Sequence, residues 1–390
     1  MTRWRPFVFE HDLVLLVGGV FAILWASTDA VTYFQTAQAL AFWVNDVGMA
    51  FVFAYVAQEA IEAAMPGGTL HPWRSALVPL AAGVGGSLGA VALYATYVHA
   101  GDESLLVQGW PIVCAVDVLL SLAVARWIFG RSAPAAFVLV LALVTDVLGL
   151  AAVSGRHQIA RLYPAAGLLI APAIAACVIL RSCRVRSIWP YVLLAGPLSW
   201  VACYATGVHP ALALLPIVPF LPHAPRDLTQ PAQVDPWPHA SATHFEHAFR
   251  RPVQVIGFLF VVANAGVLMR GFGTGTWAVL LASLVGRPVG ILAAAGLAIA
   301  AGLHVPRVIG WRELLVIALA ATPGLAFGVF LATTVFPSGP LLIETKIGAL
   351  STFTGALPAL AAARLLRVGR FRDLVEHRPA VDLRLTRGHA

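Results

Sequence analysis

The chain has 390 residues, of which 59% are hydrophobic and 11% are charged, and its formal net charge is +7. An ordinary soluble domain has about a quarter charged residues, so the composition excludes a water-soluble globule and indicates an integral membrane protein. The basic residues are spread among the connections between apolar stretches and do not form one basic region, which argues against nucleic acid as a partner.

Apolar stretches long enough to cross a bilayer follow one another along most of the chain. A spanning helix needs about 20 mostly apolar residues, and the ten-residue alternation of a membrane barrel is absent. We therefore predict an all-α membrane protein with about twelve transmembrane helices. The predicted spans are 12–28, 47–65, 75–99, 109–129, 134–153, 161–180, 188–206, 209–222, 253–270, 277–303, 312–336 and 341–366. The eighth is short for a full span, which leaves eleven open as the count.

The polar segments predict how the chain is oriented. The long connection 223–251 is rich in proline and histidine, the tail 370–390 is too polar to span, and no separate soluble domain is visible in the single unit 1–390. Most arginines, including Arg74 and Arg131, fall in connections on one side of a twelve-span arrangement. Cytoplasmic connections carry the excess of basic residues. We therefore expect both termini, the long connection and the tail to be cytoplasmic, in a bacterial inner membrane.

The eleventh span contains a local signal for a broken helix, the run Thr322-Pro323-Gly324. Proline removes a backbone donor and clashes with the preceding turn, and sharp kinks concentrate at such residues. We expect the helix to break here. A harmless proline kink, which membrane helices tolerate, is the alternative.

Three ionisable residues lie deep inside predicted spans: Asp117, Asp146 and Arg287. With a rise of about 1.5 Å per residue they reach roughly 12, 18 and 15 Å into their helices, which is the middle third of a core about 30 Å thick. Such residues are costly and usually functional. A buried carboxylate can hold either a cation or a proton, which is the minimum requirement for exchange. The alternative is a static ion pair between Asp146 and Arg287 that only holds helices together.

A series of segments resembles NhaA sodium/proton antiporters. The tenth predicted helix reads Gly286-Arg-Pro-Val-Gly-Ile291, similar to the family's Gly-Lys-Pro-Leu-Gly-Ile with arginine in the lysine position. The other similar segments lie in the family's order at 43–51, 58–59, 109–117, 141–149, 207–211, 245–247 and 263–267.

The resemblance implies a fold with inverted repeats and two broken helices that cross at the midplane, and NhaA is itself one of the proteins on which that description is based. The crossing helices would be 109–129 and 312–336. Asp117 would offset the positive helix ends and Arg287 the negative ones, while Asp146, with Thr145 beside it, would bind the ion.

The activity implied by the resemblance is exchange of protons for sodium or lithium by alternating access, as part of pH homeostasis. Besides these ions and the bilayer, the partner that the family suggests is a second copy of the chain. No cofactor, catalytic residue or resident metal is implied. The resemblance also makes Glu59, Glu246 and His247 candidate cytoplasmic pH-sensing groups, although charges at helix ends are more often simply solvated. His209 is expected to make hydrogen bonds at a helix end rather than to bind the ion.

The chain departs from the family at the adjacent pair of aspartates, of which it has one. Matching from the N-terminal side aligns the pair with Thr145-Asp146, which keeps the ion-binding acid and suggests one proton per sodium. Matching on the following Leu-Gly aligns it with Asp146-Val147, which leaves a degenerate protein with a structural or regulatory role and no transport. Val116 replaces a family threonine, which weakens the expectation of an unwound fourth helix. An intramembrane enzyme is disfavoured because His-Glu-x-x-His and Gly-x-Ser-x-Gly are absent.

Overall fold

The computed structural model describes residues 14–114, 116–154, 163–185, 187–222, 244–268, 271–306 and 308–372, with side chains from 251 onward in the segment 244–268. The regular structure of these residues is helical throughout. The α-helices are α1 (Val14–Thr28), α2 (Ala30–Ala41), α3 (Met49–Ala64), α4 (Leu77–Ala100), α5 (Val118–Phe129), α6 (Ala133–Val153), α7 (Ile170–Ser182), α8 (Gly196–Thr206), α9 (His244–Asn264), α10 (Thr274–Leu281), α11 (Arg287–Ala300), α12 (Trp311–Ala320), α13 (Leu325–Val335), α14 (Pro340–Ser351) and α15 (Ala356–Leu365).

Several α-helices join through short π-helical or 3-10 segments into longer apolar rods. Six helical rods in the described part of the chain, one of them the single helix α6, are long and apolar enough to cross a membrane: Ala30–Ala64, Trp73–Ala100, Ala133–Val153, Pro164–Ser182, Thr274–Ala300 and Pro340–Phe371. Two bent helix pairs each add a broken span, and three shorter apolar helices accompany them, at Val14–Thr28, Tyr191–Thr206 and Arg251–Asn264. The prediction of an all-helical, multi-span membrane protein is confirmed.

Two predicted spans are wrong in detail. The stretch 209–222 is not a continuous helix but contains 3-10 turns at Pro210–Leu212 and Val218–Phe220. It has prolines at 210, 216, 219 and 222, and each of them lacks the N–H that a helix needs. The second span, predicted at 47–65, begins at Ala30 and passes through a π-helical segment, Phe42–Gly48. Apolar periodicity does not reveal such an insertion.

Helices α4 and α11 approach each other so closely that no side chain separates them. Glycines four residues apart lie on both sides of the contact: Gly85 and Gly89 on α4, and Gly286, which directly precedes α11, with Gly290 on α11. A Cβ atom added to Gly286 would lie 2.7 Å from the carbonyl oxygen of Gly89, and one added to Gly89 would lie 2.7 Å from the Cα of Gly290. Small residues at this spacing are typical of close helix pairs in membranes. The packing fixes the position of Arg287, which directly follows Gly286.

The long connection and the tail lie mostly outside the described residues. The described part of the connection, from residue 244, is the beginning of α9. The chain is described to residue 372, where Arg370 stacks on Trp127, its guanidinium carbon 4.7 Å from the ring centroid. The organisation as one membrane unit, with cytoplasmic segments 223–251 and 370–390, stays a prediction.

Candidate functional site

Two helices are broken near the middle of their length. The 3-10 helix Ser104–Cys114 meets α5 at an angle of 50°, and α12 meets α13 at an angle of 51°. The second break contains Thr322, Pro323 and Gly324, as predicted. Because no water is available in a bilayer core, the backbone groups released by each break need partners within the protein.

The first break receives its partners from α6 and from the second break. The backbone N–H of Val116 donates to Oδ1 of Asp146 at 2.9 Å, and the N–H of Asp117 donates to the carbonyl of Pro323 at 2.8 Å. The fourth helix is broken although valine stands at 116, because the contact with Asp146 uses the backbone N–H of Val116, which any residue except proline supplies.

The second break is held in a similar way. Pro323 has no N–H to donate, and the N–H of Gly324 donates to Oγ1 of Thr352 at 2.8 Å. Thr352 follows α14, so α14 is fixed to the broken helix at this point. Gly355 lies directly beside the break, where an added Cβ would collide with the Thr322 side chain.

Asp117 caps the N-terminal ends of both half-helices that begin at the crossing. Its Oδ1 accepts from the N–H of Leu120 in α5, and its Oδ2 accepts from the N–H of Ala326 in α13, each at 3.2 Å. Helix N-termini carry a partial positive charge, which a carboxylate stabilises. The geometry is the one expected for a residue that offsets the positive ends.

Arg287 caps the two C-terminal ends at the same crossing. Its guanidinium donates to the carbonyls of Val113 at 2.6 Å, of Thr322 at 3.1 Å and of Ala321 at 3.4 Å. These carbonyls end the first half of each broken helix, where the partial charge is negative. The side chain is fully buried, and its planar fork reaches carbonyls from both helices at once.

Asp146 lies on α6 and faces this crossing, with 1% of its surface exposed. Both Asp117 and Arg287 lie near enough to interact with it electrostatically. Among the described residues, no ion pair within 4.0 Å joins Asp146 to Arg287. The static Asp146–Arg287 pair, considered as an alternative from the sequence, is therefore not what the structure contains.

A cavity of about 20 Å³ is lined by both Asp117 and Asp146. This is room for about one water molecule or one ion of similar size. The remaining wall is almost entirely apolar and comes from α1, α3, α5, α9 and α13, including Gly257, Phe260 and Phe327. Thr145 is not part of this wall, and its hydroxyl donates to the carbonyl of Ala142 at 2.7 Å. Its predicted role in ion binding stays a prediction.

Of the candidate pH-sensing residues, Glu59 has a described side chain, and it is not among the residues that line the cavity. Glu59, on α3, forms an ion pair with Arg126 in the last turn of α5, and both side chains are partly exposed. Glu246 and His247 belong to α9, but their side chains are outside the described residues. A role for these three residues in pH response stays a prediction.

The sequence reasoning missed a second buried polar region. His209 accepts from the N–H of Ala211 at 3.2 Å, as expected for a helix-end residue, but its Nε2 also lies 3.8 Å from the carboxylate of Asp46. Asp46 lies in the π-helical segment Phe42–Gly48, beside Asn45, which exchanges hydrogen bonds with Asn264. The polar run at 45–46 inside an apolar rod was the available signal.

Comparison with known proteins assigns the chain to a family. The family model described as Na+/H+ antiporter 1 matches residues 13–365. A Na+/H+ antiporter NhaA of Geobacter metallireducens is 38% identical over 372 residues, which cover 93% of this chain and 97% of that one. A Na+/H+ antiporter NhaA of Desulfitobacterium hafniense is 34% identical over 383 residues, covering 94% and 97%.

A solved structure with a similar fold is that of the sodium proton antiporter MjNhaP1 from Methanocaldococcus jannaschii. Its TM-score is 0.53 at 13% sequence identity, with 91% of this chain and 89% of that chain covered. At this identity the likeness concerns the fold alone. The match of the family model to most of the chain, together with relatives above 30% identity along nearly their whole length, shows that this protein belongs to the Na+/H+ antiporter 1 family.

Proposed function

We propose that the protein exchanges protons for sodium across the membrane by alternating access, with Asp146 as the group that carries the ion. The family membership and the relatives named as Na+/H+ antiporters support sodium and protons as the substrates. Lithium, which the sequence comparison also suggested, is included in the proposal as a second cation. No step needs an enzyme's nucleophile or a cofactor.

The observation that carries the proposal is the cavity at the crossing, where two carboxylates meet inside the membrane-spanning helices. Its volume leaves room for about one small occupant. Ions and protons that compete for the same carboxylate bind one at a time. A site that holds either a proton or a sodium ion, but not both, couples the two flows.

The two carboxylates differ in how they are held. Asp117 uses one oxygen on each of two helix ends, so its charge is needed by the fold itself. Asp146 lies on the continuous helix α6 and receives the N–H of Val116 from the broken segment. Loss or gain of a charge at Asp146 therefore acts directly on the break to which Val116 belongs. This difference supports Asp146 as the group that titrates during exchange.

A single titrating carboxylate favours the exchange of one proton per sodium ion. It also favours the alignment in which Thr145-Asp146 corresponds to the family's pair. The alternative of a degenerate protein, in which Val147 replaces the family's ion-binding acid, is disfavoured because Asp146 lines the cavity. Val147 is not part of the cavity wall.

The cellular placement belongs to the same proposal. We place the protein in a bacterial inner membrane with both termini and the connection 223–251 on the cytoplasmic side, because the arginines cluster in connections on that side. A homodimer stays a prediction from the family resemblance.

Sodium-driven proton flux in proteoliposomes tests the proposal. The purified native chain is compared with Asp146→Asn and with Asp29→Asn, a matched acid-to-amide control at the exposed N-cap of α2, where Asp29 accepts from the N–H of Thr32. We expect flux in the native chain and in the control, and none in Asp146→Asn. No native flux with sodium or lithium would overturn the function, and flux retained in Asp146→Asn would overturn the role of Asp146.

A further inference from the structure

A second buried cation lies outside the crossing, at Lys346 on α14. Its side chain is 6% exposed, and its ammonium nitrogen donates to the carbonyls of Asn264 at 3.1 Å and of Gly266 at 3.4 Å. Burying an ammonium group is costly unless acceptors compensate it. Lys346 lies near the start of the predicted span 341–366. The structure places its ammonium group inside the protein, in contact with the end of another helix.

The acceptors of Lys346 lie at the C-terminal end of α9. Asn264 is the last residue of that helix, and the backbone at Gly266 is no longer helical. The last carbonyls of a helix lack intrahelical donors and carry a partial negative charge that a cation stabilises. Lys346 therefore caps α9 in the same way that Arg287 caps the broken helices, although it belongs to a different part of the protein.

Two further side chains hold the same helix end. The hydroxyl of Tyr33 donates to the carbonyl of Val262 and accepts from the N–H of Gly266, each at 2.8 Å. The side-chain amide of Asn264 donates to Oδ1 of Asn45 at 2.9 Å. Several independent contacts thus fix the end of α9 to α2, to the π-helical segment and, through Lys346, to α14.

The position of α9 matters because this helix forms one wall of the cavity at Asp146. Gly257 and Phe260 of α9 line the cavity, and Gly257 lies about 10 Å along the helix from Asn264. The helix has no break between these residues. A displacement of its C-terminal end therefore moves the cavity wall.

Helix α14, which carries Lys346, is also connected to the crossing. Thr352 directly follows α14 and accepts the N–H of Gly324 in the second break. Thr352 lies about 9 Å along the helix from Lys346. The same element thus touches the end of α9 through Lys346 and the broken helix through Thr352.

We propose that Lys346 is a positioning residue for cation binding: its buried ammonium fixes the C-terminal end of α9 to α14 and thereby sets the distance between the α9 wall of the cavity and the break at Gly324. Lys346 does not touch the transported ion. The inference rests on the proposed function, since it concerns the cation that binds at Asp146.

The test compares initial rates of sodium-driven proton flux in proteoliposomes over a range of sodium concentrations. Lys346→Met removes the charge and keeps the apolar stem. We expect the apparent KM for sodium to rise by about tenfold, which corresponds to about 1.4 kcal/mol, with a smaller change in the maximal rate. Lys346→Arg keeps a buried cation and should restore a KM within about threefold of the native value, equivalent to about 0.7 kcal/mol.

Glu344→Gln is the matched control on the same helix. The Glu344 carboxylate accepts from the N–H of Gly275 at 2.9 Å, at the start of α10, so the variant removes the charge from a cap of another helix and keeps one acceptor oxygen. We expect lower thermal stability with an unchanged KM. A KM that rises equally in Lys346→Met and Glu344→Gln, or that stays at the native value in Lys346→Met, would overturn the proposal.

A second variant covers the case in which Lys346→Met does not fold. Tyr33→Phe removes the two hydrogen bonds of the hydroxyl at the same helix end and leaves all charges in place, so it should raise the KM in the same direction by a smaller factor. An unchanged KM in Tyr33→Phe would then overturn the inference. These outcomes are separate from failure of the proposed function, which would appear as absent flux in the native chain.

Discussion

Asp117 offers the sharpest test of the crossing, because one carboxylate caps two helices. Each oxygen accepts one backbone N–H, from Leu120 and from Ala326, at 3.2 Å. A hydrogen bond to a charged group contributes about 1.5 to 3 kcal/mol. Asp117→Ala loses both contacts and should lower the free energy of unfolding by about 3 to 6 kcal/mol. Asp117→Asn keeps one acceptor oxygen and should lose about half as much.

The assay is unfolding of the purified protein in mixed micelles, monitored by tryptophan fluorescence, for the native chain and both variants. Proton flux should fall in both, because the released N–H groups distort the break that Asp146 contacts. The critical result is the order of stability, in which the native chain is most stable, Asp117→Asn is intermediate and Asp117→Ala is least stable. If both variants unfolded within about 0.5 kcal/mol of the native protein, which is the scatter of a neutral surface change, the double-cap interpretation would be wrong.

The remaining predictions concern three other contacts and can be checked by the same melts and flux measurements. Arg287→Met leaves three buried carbonyls without their donor, so it should lower the free energy of unfolding by at least about 3 kcal/mol and abolish flux. Arg287→Lys should keep measurable exchange. Equal behaviour of the two variants would contradict the interpretation that a positive charge at 287 caps the broken helices. Glu59→Gln breaks a partly exposed pair with Arg126 that contributes no more than about 1 kcal/mol, so the protein should fold and show a changed pH profile of exchange; a profile that superimposes on the native one would remove Glu59 from the sensing groups. Gly290→Leu should force α11 away from α4 and lower the free energy of unfolding by about 1 to 3 kcal/mol or more. It should also reduce proton flux, because the shift of α11 displaces Arg287. Native-like stability would show that the two helices tolerate a side chain between them.

The sequence was sufficient to identify the residues of the crossing because charge inside a membrane is rare. Asp117, Asp146 and Arg287 stand out from apolar surroundings, and Thr322-Pro323-Gly324 carries its own signal for a break. The pattern could also show that these helices cross a bilayer. The pattern could not show that Arg287 donates to backbone carbonyls, because every residue has a backbone carbonyl and the sequence does not mark which ones lack a partner.

Other features were hidden for physical reasons. The π-helical segment Phe42–Gly48 interrupts the regular helical period and contains the polar residues Asn45 and Asp46, so the predicted span began at 47, whereas the helical rod begins at Ala30. The stretch 209–222 is apolar enough for a span but has prolines that prevent a continuous helix. Lys346 lies near the start of the predicted span 341–366, and its acceptors, at 264 and 266, are about eighty positions away in the chain, so no local pattern could show the contact.

The glycine contact between α4 and α11 has a mechanical consequence. Interfaces built from side chains can repack by changing rotamers, but here backbone meets backbone at Gly89 and Gly286, and there is no adjustable layer between the two helices. Helices α4 and α11 should therefore move together as one rigid body, and the guanidinium of Arg287 should move with them. The sliding that alternating access requires has to occur elsewhere. An aromatic cluster lies between α9 and α13, where the ring centroid of Phe260 is 5.6 Å from that of Phe330 and 6.2 Å from that of Phe327. The rings of this cluster can re-stack as α4 and α11 move.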